Sequence, residues 1–164
     1  MSVGFVDPTA DGGTIQWYPT PGPAHFSCID DGTRQPSVPD TADNIQAGTP
    51  NISDIFDMSS IAGAASVSSI VVWVYGSRVM DGDVGAAIYV GGGWEAVQYF
   101  GVTSAGWYSV TFNGAWTQAD LDALQVKIIN DGYPWPIEEI DAMYCAVTYE
   151  AGAAAAPQII PISR

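Results

Sequence analysis

Apolar and polar positions along this chain alternate mostly with the period of a strand, and in only one place with the spacing of a helix. The clearest run is residues 68–75, where Ile70, Val72 and Val74 line one side while Val71, Trp73 and Tyr75 line the other. A run apolar on both alternating faces suits a central strand covered on both. Residues 84–90 and 94–100 flank Gly91, Gly92 and Gly93, which predicts a β-hairpin with a glycine loop, because glycine reaches the positive φ that tight hairpin turns demand. Residues 107–112 alternate again and residues 125–129 read as a strand. Residues 140–149 form a closing strand in which Met143, Cys145, Val147 and Tyr149 oppose Tyr144, Ala146 and Thr148.

The helical signal lies at residues 116–124. Thr117 is placed to cap, Asp120 sits in the first turn, and Leu121 and Leu124 form the inner face, which predicts a helix about two turns long. The first fifty residues carry Pro8, Pro19, Pro21, Pro23, Pro36, Pro39 and Pro50, so long helices are excluded there and extended, wrapping segments are expected. Within them, residues 14–18 and 25–29 have the β-branched and aromatic content of short strands. Together these elements predict an all-β protein: an antiparallel β-sandwich (jelly roll) of about eight strands with one short helix near residues 117–124.

A length of 164 residues suits one domain with a sizeable core, here residues 1–150 including the Pro-rich wrapping segment. Residues 151–164 differ in character. An alanine and glycine linker leads to Ile159, Ile160 and Ile162, set between and beyond Pro157 and Pro161, which reads as a flexible linker and a C-terminal docking arm.

Charge narrows the classes of function. Charged residues make up 13%, about half the usual ~25%, so the surface is largely neutral. Eighteen acids against four bases give a net charge of −14, which argues against binding nucleic acid or anionic membranes. The longest apolar stretch, residues 70–75, is far short of the ~20 residues a membrane span needs. Residues 1–11 lack the basic and apolar regions of a signal peptide, so none is expected.

Candidate chemistry is sparse. His25 is the one histidine, no serine sits in a G-x-S-x-G elbow, and on a strand Cys28 would face away from His25, so His25 is expected to pack with one hydrogen-bond partner. Many acids belong to turn dipeptides: Asp11-Gly12, Asp31-Gly32, Asp81-Gly82 and Asp131-Gly132. Asp81 and Asp83 offer oxygen ligands to calcium but lack the spacing of a twelve-residue binding loop, so a solvated turn is expected. Cys28 and Cys145 are far apart without C-x-x-C spacing and read as two buried thiols. No catalytic residue, metal or cofactor is expected. Among six tryptophans, Trp73 and Trp107 fall in strands and are assigned to the core, whereas Trp94 and Trp135 are assigned to the surface, facing a neighbouring subunit or a glycan.

Residues 115–126, Ala-Trp-Thr-Gln-Ala-Asp-Leu-Asp-Ala-Leu-Gln-Val, resemble a segment of virion structural proteins of tailed bacteriophages. Residues 67–78 look like that family's central strand, residues 40–45 like its Asp-rich approach and residues 140–149 like its closing strand, so the likeness spans about residues 25–150. It departs before Trp116, where Asn113-Gly114-Ala115 replaces a Pro-rich lead. The resemblance implies a non-enzymatic jelly-roll subunit made in the host cytoplasm and carried on the virion surface. The leading expectation is an oligomeric capsid decoration protein. Its partners would be itself, a trimer being one state this allows, and another virion protein such as the major capsid or tail protein. Trp94, Trp135, Ile159, Ile160 and Ile162 are the contact residues expected. The alternative is a tail or fibre-associated adhesin domain that binds host-surface glycans.

Overall fold

The computed structural model describes residues 1–20, 24–30, 32–76, 84–101, 104–132 and 138–152. Among them the chain forms two six-stranded antiparallel sheets packed as a sandwich, with one short helix. Its strands are β1 (Ser2–Val6), β2 (Pro8–Asp11), β3 (Tyr18–Thr20), β4 (Asn44–Ala47), β5 (Ile52–Met58), β6 (Ala64–Gly76), β7 (Val84–Val90), β8 (Gly93–Trp94), β9 (Gln98–Tyr99) and β10 (Gly106–Trp116). The helix α1 (Gln118–Asp122) follows, then β11 (Gln125–Asn130) and β12 (Glu138–Ala151). The first sheet runs β10-β6-β12-β4-β3, with β1 also on β12; the second runs β2-β5-β11-β7-β8, with β9 also on β7.

Strand order identifies the topology. Setting aside β1 to β3 and counting β8 and β9 as two pieces of one strand leaves eight, ordered β4-β12-β6-β10 and β5-β11-β7-β8/β9. Apart from the β7–β8 hairpin, successive strands of this set switch sheets, which is the jelly roll. The described strands outnumber the eight expected because the proline-rich start contributes three and the hairpin partner is interrupted at residues 95–97.

Parity along β6 places the core. Ile70, Val72 and Val74 are fully buried between the sheets, facing Phe56, Ile88, Val126 and Ile128 of the other layer. Val71, Trp73 and Tyr75 therefore point outward and are half-buried. Trp107, in register with Tyr75, points outward as well. The expectation that Trp73 and Trp107 lie in the core is thus corrected, and Trp17 and Trp116 are buried instead. Leu121 and Leu124 close one end of the core, as their spacing predicts.

Two N-terminal readings also change. Residues 26–28 form a 3₁₀ turn, not a strand, because the Asp11 carboxylate accepts the N–H groups of His25 (3.1 Å) and Phe26 (2.7 Å) and holds the chain in a turn. The Cys28 N–H reaches the His25 carbonyl at 3.1 Å, so the two residues are neighbours on that turn and do not face apart on a strand. Residues 14–17 run beside β5 through irregular bonds, Ile55 N–H to the Thr14 carbonyl (2.9 Å) and Ser53 N–H to the Gln16 side-chain oxygen (2.9 Å), and only Tyr18 enters a strand.

Candidate functional site

The outer face of the second sheet carries a partly exposed group of aromatic and polar side chains, and the β7–β8 hairpin builds it. Val90 pairs directly with Gly93, leaving Gly91 and Gly92 as a two-residue turn with φ of 62° and 82°. That is type I′ geometry, which needs positive φ at both positions. It sets Tyr89 opposite Trp94 on one face, where their rings meet edge to face at 5.5 Å. Across the sheet Tyr89 is in register with Gln125, and Gln125 with Asp57; the Gln125 amide donates to the Asp57 carboxylate at 2.7 Å. One pair further along, Lys127 extends its ammonium to 4.2 Å from the Trp94 ring centroid. Trp94 keeps 38% of its surface exposed.

Small residues bring the rest of this face close. A Cβ at Gly85 would lie 2.9 Å from the Gln98 carbonyl and 2.9 Å from the Val97 side chain, so only glycine lets β9 approach β7 here. Val97 and Tyr99 are exposed beside it, and the Tyr99 hydroxyl donates to the Asp131 carboxylate. At the helix end, Asp57, Met58, Tyr89, Asp122, Ala123, Leu124 and Gln125 line an open recess of about 610 Å³. Hydrogen bonds from the Ser60 hydroxyl and the Gln118 amide hold the Asp122 carboxyl below the usual carboxylate range. The Tyr89 ring shares this recess with carboxylates and an amide, groups that can stack the C–H face of a hydroxyl-rich ligand and accept hydrogen bonds from its hydroxyls.

The outer face of the first sheet is aromatic too, but closed. Trp73 stacks on Tyr144 (6.1 Å, 9° between planes), and Trp107 sets its edge against Tyr75 (5.4 Å) and Tyr144 (5.5 Å). Residues 34–37 strap across this layer. The Arg34 guanidinium lies 4.7 Å from the Tyr144 centroid and donates to Asp7 at 2.6 Å, while the Trp107 indole N–H donates to the Ser37 carbonyl at 2.7 Å. Burial pushes the Tyr144 hydroxyl above its ordinary pKa. Alternate residues of β1 continue this face: Met1 is 87% exposed and Val3 60%, while Phe5, 52% exposed, sets its edge against Tyr144 (5.8 Å) with the Arg34 guanidinium 5.5 Å from its ring centroid.

His25 is buried, with Nδ1 bonded to Asp54, whose other oxygen accepts the N–H groups of Gln16 (2.5 Å) and Trp17 (2.9 Å). This pair anchors the N-terminal segment to β5. Cys28 and Cys145 are free and buried, and burial pushes the Cys145 thiol well above its ordinary range. Among the described residues no three His, Cys, Asp or Glu side chains converge as metal ligands, and no helix is long and apolar enough to cross a membrane.

Of the contact residues expected from sequence, Trp94 is on this surface; Trp135, Ile159, Ile160 and Ile162 lie outside the described residues, as do Asp81 and Asp83. Tyr89, Gln125, Lys127 and Asp57 were not among the candidates. Only the strand register brings them together, although Tyr89 and Trp94, equidistant from the glycine turn, carried a local signal. The chain matches no protein-family model, and no curated protein is similar to it.

Proposed function

We propose that the protein is a structural subunit of a bacteriophage virion: a jelly-roll decoration protein that assembles with copies of itself and binds the outside of the capsid shell. The observation that carries this reading is the open apolar stripe of Met1, Val3 and Phe5 on edge strand β1, next to half-buried Val71 and Ala146. An edge strand with contiguous exposed apolar side chains invites pairing, and proteins normally protect such edges unless another chain covers them. The resemblance of residues 115–126 to virion proteins supports the same reading, and that segment forms the end of β10, the capped helix and the start of β11. A net charge of −14 suits a subunit kept away from packaged DNA. The test is immunogold electron microscopy of purified particles together with quantitative mass spectrometry. The expected result is regular surface labelling at a fixed ratio to the major capsid protein; absence from washed particles would reject it.

A second reading rests on the recess beside Tyr89 and Trp94, whose groups suit a saccharide and so favour the adhesin alternative. A glycan array probed with the wild type, Tyr89→Ala and Asp122→Asn decides it. Saturable binding lost in both variants supports the adhesin, and no binding removes it.

A further inference from the structure

We propose that copies of this chain are joined by strand donation, residues 157–162 of one copy adding to the free edge of β1 in a neighbouring copy. This rests on the homo-oligomeric part of the function proposed above and names the contact that would make it. β1 is paired along one side only: Ser2 to Val6 lie against Tyr149 to Cys145 of β12, and no described strand occupies the other side. The face it presents carries Val3 and Phe5, 60% and 52% exposed.

The sequence of residues 157–162, Pro-Gln-Ile-Ile-Pro-Ile, fits that vacancy. In an extended chain, alternate residues direct their N–H and C=O groups to opposite edges. Pro157 and Pro161 share one parity, so the missing donors fall on a single edge, while Gln158, Ile160 and Ile162 offer a full set on the other. Such a segment pairs once and then presents a blocked edge, which ends the sheet and prevents runaway association. Ile160 and Ile162 also share a side-chain face, matching the two-residue spacing of Val3 and Phe5.

Reach and charge point to a second copy. The described chain ends at Gly152, whose N–H bonds the Gly63 carbonyl at 2.8 Å, and twelve residues follow, enough for about 40 Å when extended. To lie beside its own β1, the segment would have to reverse direction and cross over that strand, yet residues 153–156 are four alanines with no turn residue, and a proline at 157 disfavours helical backbone in the residue before it. The one charge on the arm, Arg164, is opposite in sign to the body it would approach. Repeated around a symmetry axis, the exchange closes into a dimer or a small ring.

Sedimentation velocity at micromolar concentration tests this with the full chain, a chain ending at residue 152, and the variants Ile160→Pro, Ile159→Pro and Val3→Asp, each checked for native circular dichroism. The full chain and Ile159→Pro should assemble alike, since residue 159 directs its N–H to the blocked edge. The truncation, Ile160→Pro and Val3→Asp should weaken association at least tenfold, and amides of β1 should lose protection from deuterium exchange in the truncated chain. A monomeric full chain, unchanged assembly of the truncation, equal effects at 159 and 160, or β1 protection independent of protein concentration would each overturn the proposal. Presence on virions is measured separately, so a chain found on particles but assembled without its arm rejects strand donation alone, and an arm-joined oligomer absent from particles rejects the virion reading alone.

Discussion

Asp54 is a carboxylate at a position whose parity, shared with Phe56 and Met58, belongs to the core. At 1% exposure it persists there because three donors meet it: the Gln16 and Trp17 amides and the His25 ring. Replacing it with alanine leaves the Trp17 amide and the His25 ring buried without this acceptor. Asp54→Ala should therefore cost about 3 kcal/mol in urea unfolding, whereas Ser53→Ala, on the outer face one residue away, should stay within about 0.5 kcal/mol. An acid interrupting an apolar alternation is a visible signal in the sequence, but its partner is not: His25 is 29 positions away, and only the turn at residues 26–28 brings it to β5. The buried thiols were legible because cysteine without metal-ligand spacing tends to pack inside, and both do.

At the scale of elements, legibility follows locality. Helix α1 was readable because its signal is self-contained: Thr117 and Asp120 form a reciprocal cap, the Asp120 carboxylate taking the Thr117 N–H at 2.8 Å while the Thr117 hydroxyl takes the Asp120 N–H at 3.3 Å. Thr117→Ala should cost about 1 kcal/mol at neutral pH. Chiefly the Thr117 backbone N–H, then its hydroxyl, holds the Asp120 carboxyl below its usual 3.8. A depressed carboxyl stabilises the fold above the unfolded value and stops doing so as pH falls through the folded one. The deficit of Thr117→Ala relative to wild type should thus shrink below about pH 3.8, as urea titrations at pH 7 and pH 3 would show. Strand β6 was legible for a different reason, its length and parity. Val72→Ala or Val74→Ala, each in a fully buried site, should cost about 1 to 3 kcal/mol, and Val71→Ala, half-exposed on the outer face, clearly less. Strand β2 and the end of β3 escaped notice because proline argues against a strand. Pro8 opens β2 and Pro19 sits in β3, and both are edge strands, where a missing N–H is tolerated.

At the scale of the molecule, the sandwich could be read from evenly spaced strand patterns, but the pairing of distant strands could not, since no local feature states which strand lies beside which. The surface patch around Trp94 shared that fate: its members come from β5, β7, β8 and β11 and meet only through register. Electrostatics is a whole-molecule property. Eighteen acids repel one another with four bases to offset them, and the two described bases, Arg34 and Lys127, both sit over aromatic rings. Raising sodium chloride from about 10 to 150 mM shortens the Debye length from about 30 to 8 Å, so the melting temperature should rise with salt in that range. A flat response in scanning calorimetry would mean that the acids are too widely spaced to strain the fold.

The position of β12 has a consequence for how the protein is made. The last strand among the described residues lies inside its sheet, between β6 and the pair β1 and β4, and the preceding strand β11 is likewise flanked by β5 and β7. Each sheet therefore lacks its middle until residues 125–151 have been made. At about 5 to 20 residues per second, residues 1–124 take roughly 6 to 25 s to be made, without the strands that join their halves. During that interval the apolar edges of β5, β6 and β7 are open to whatever is nearby, and a chain that stops before residue 138 cannot close its first sheet.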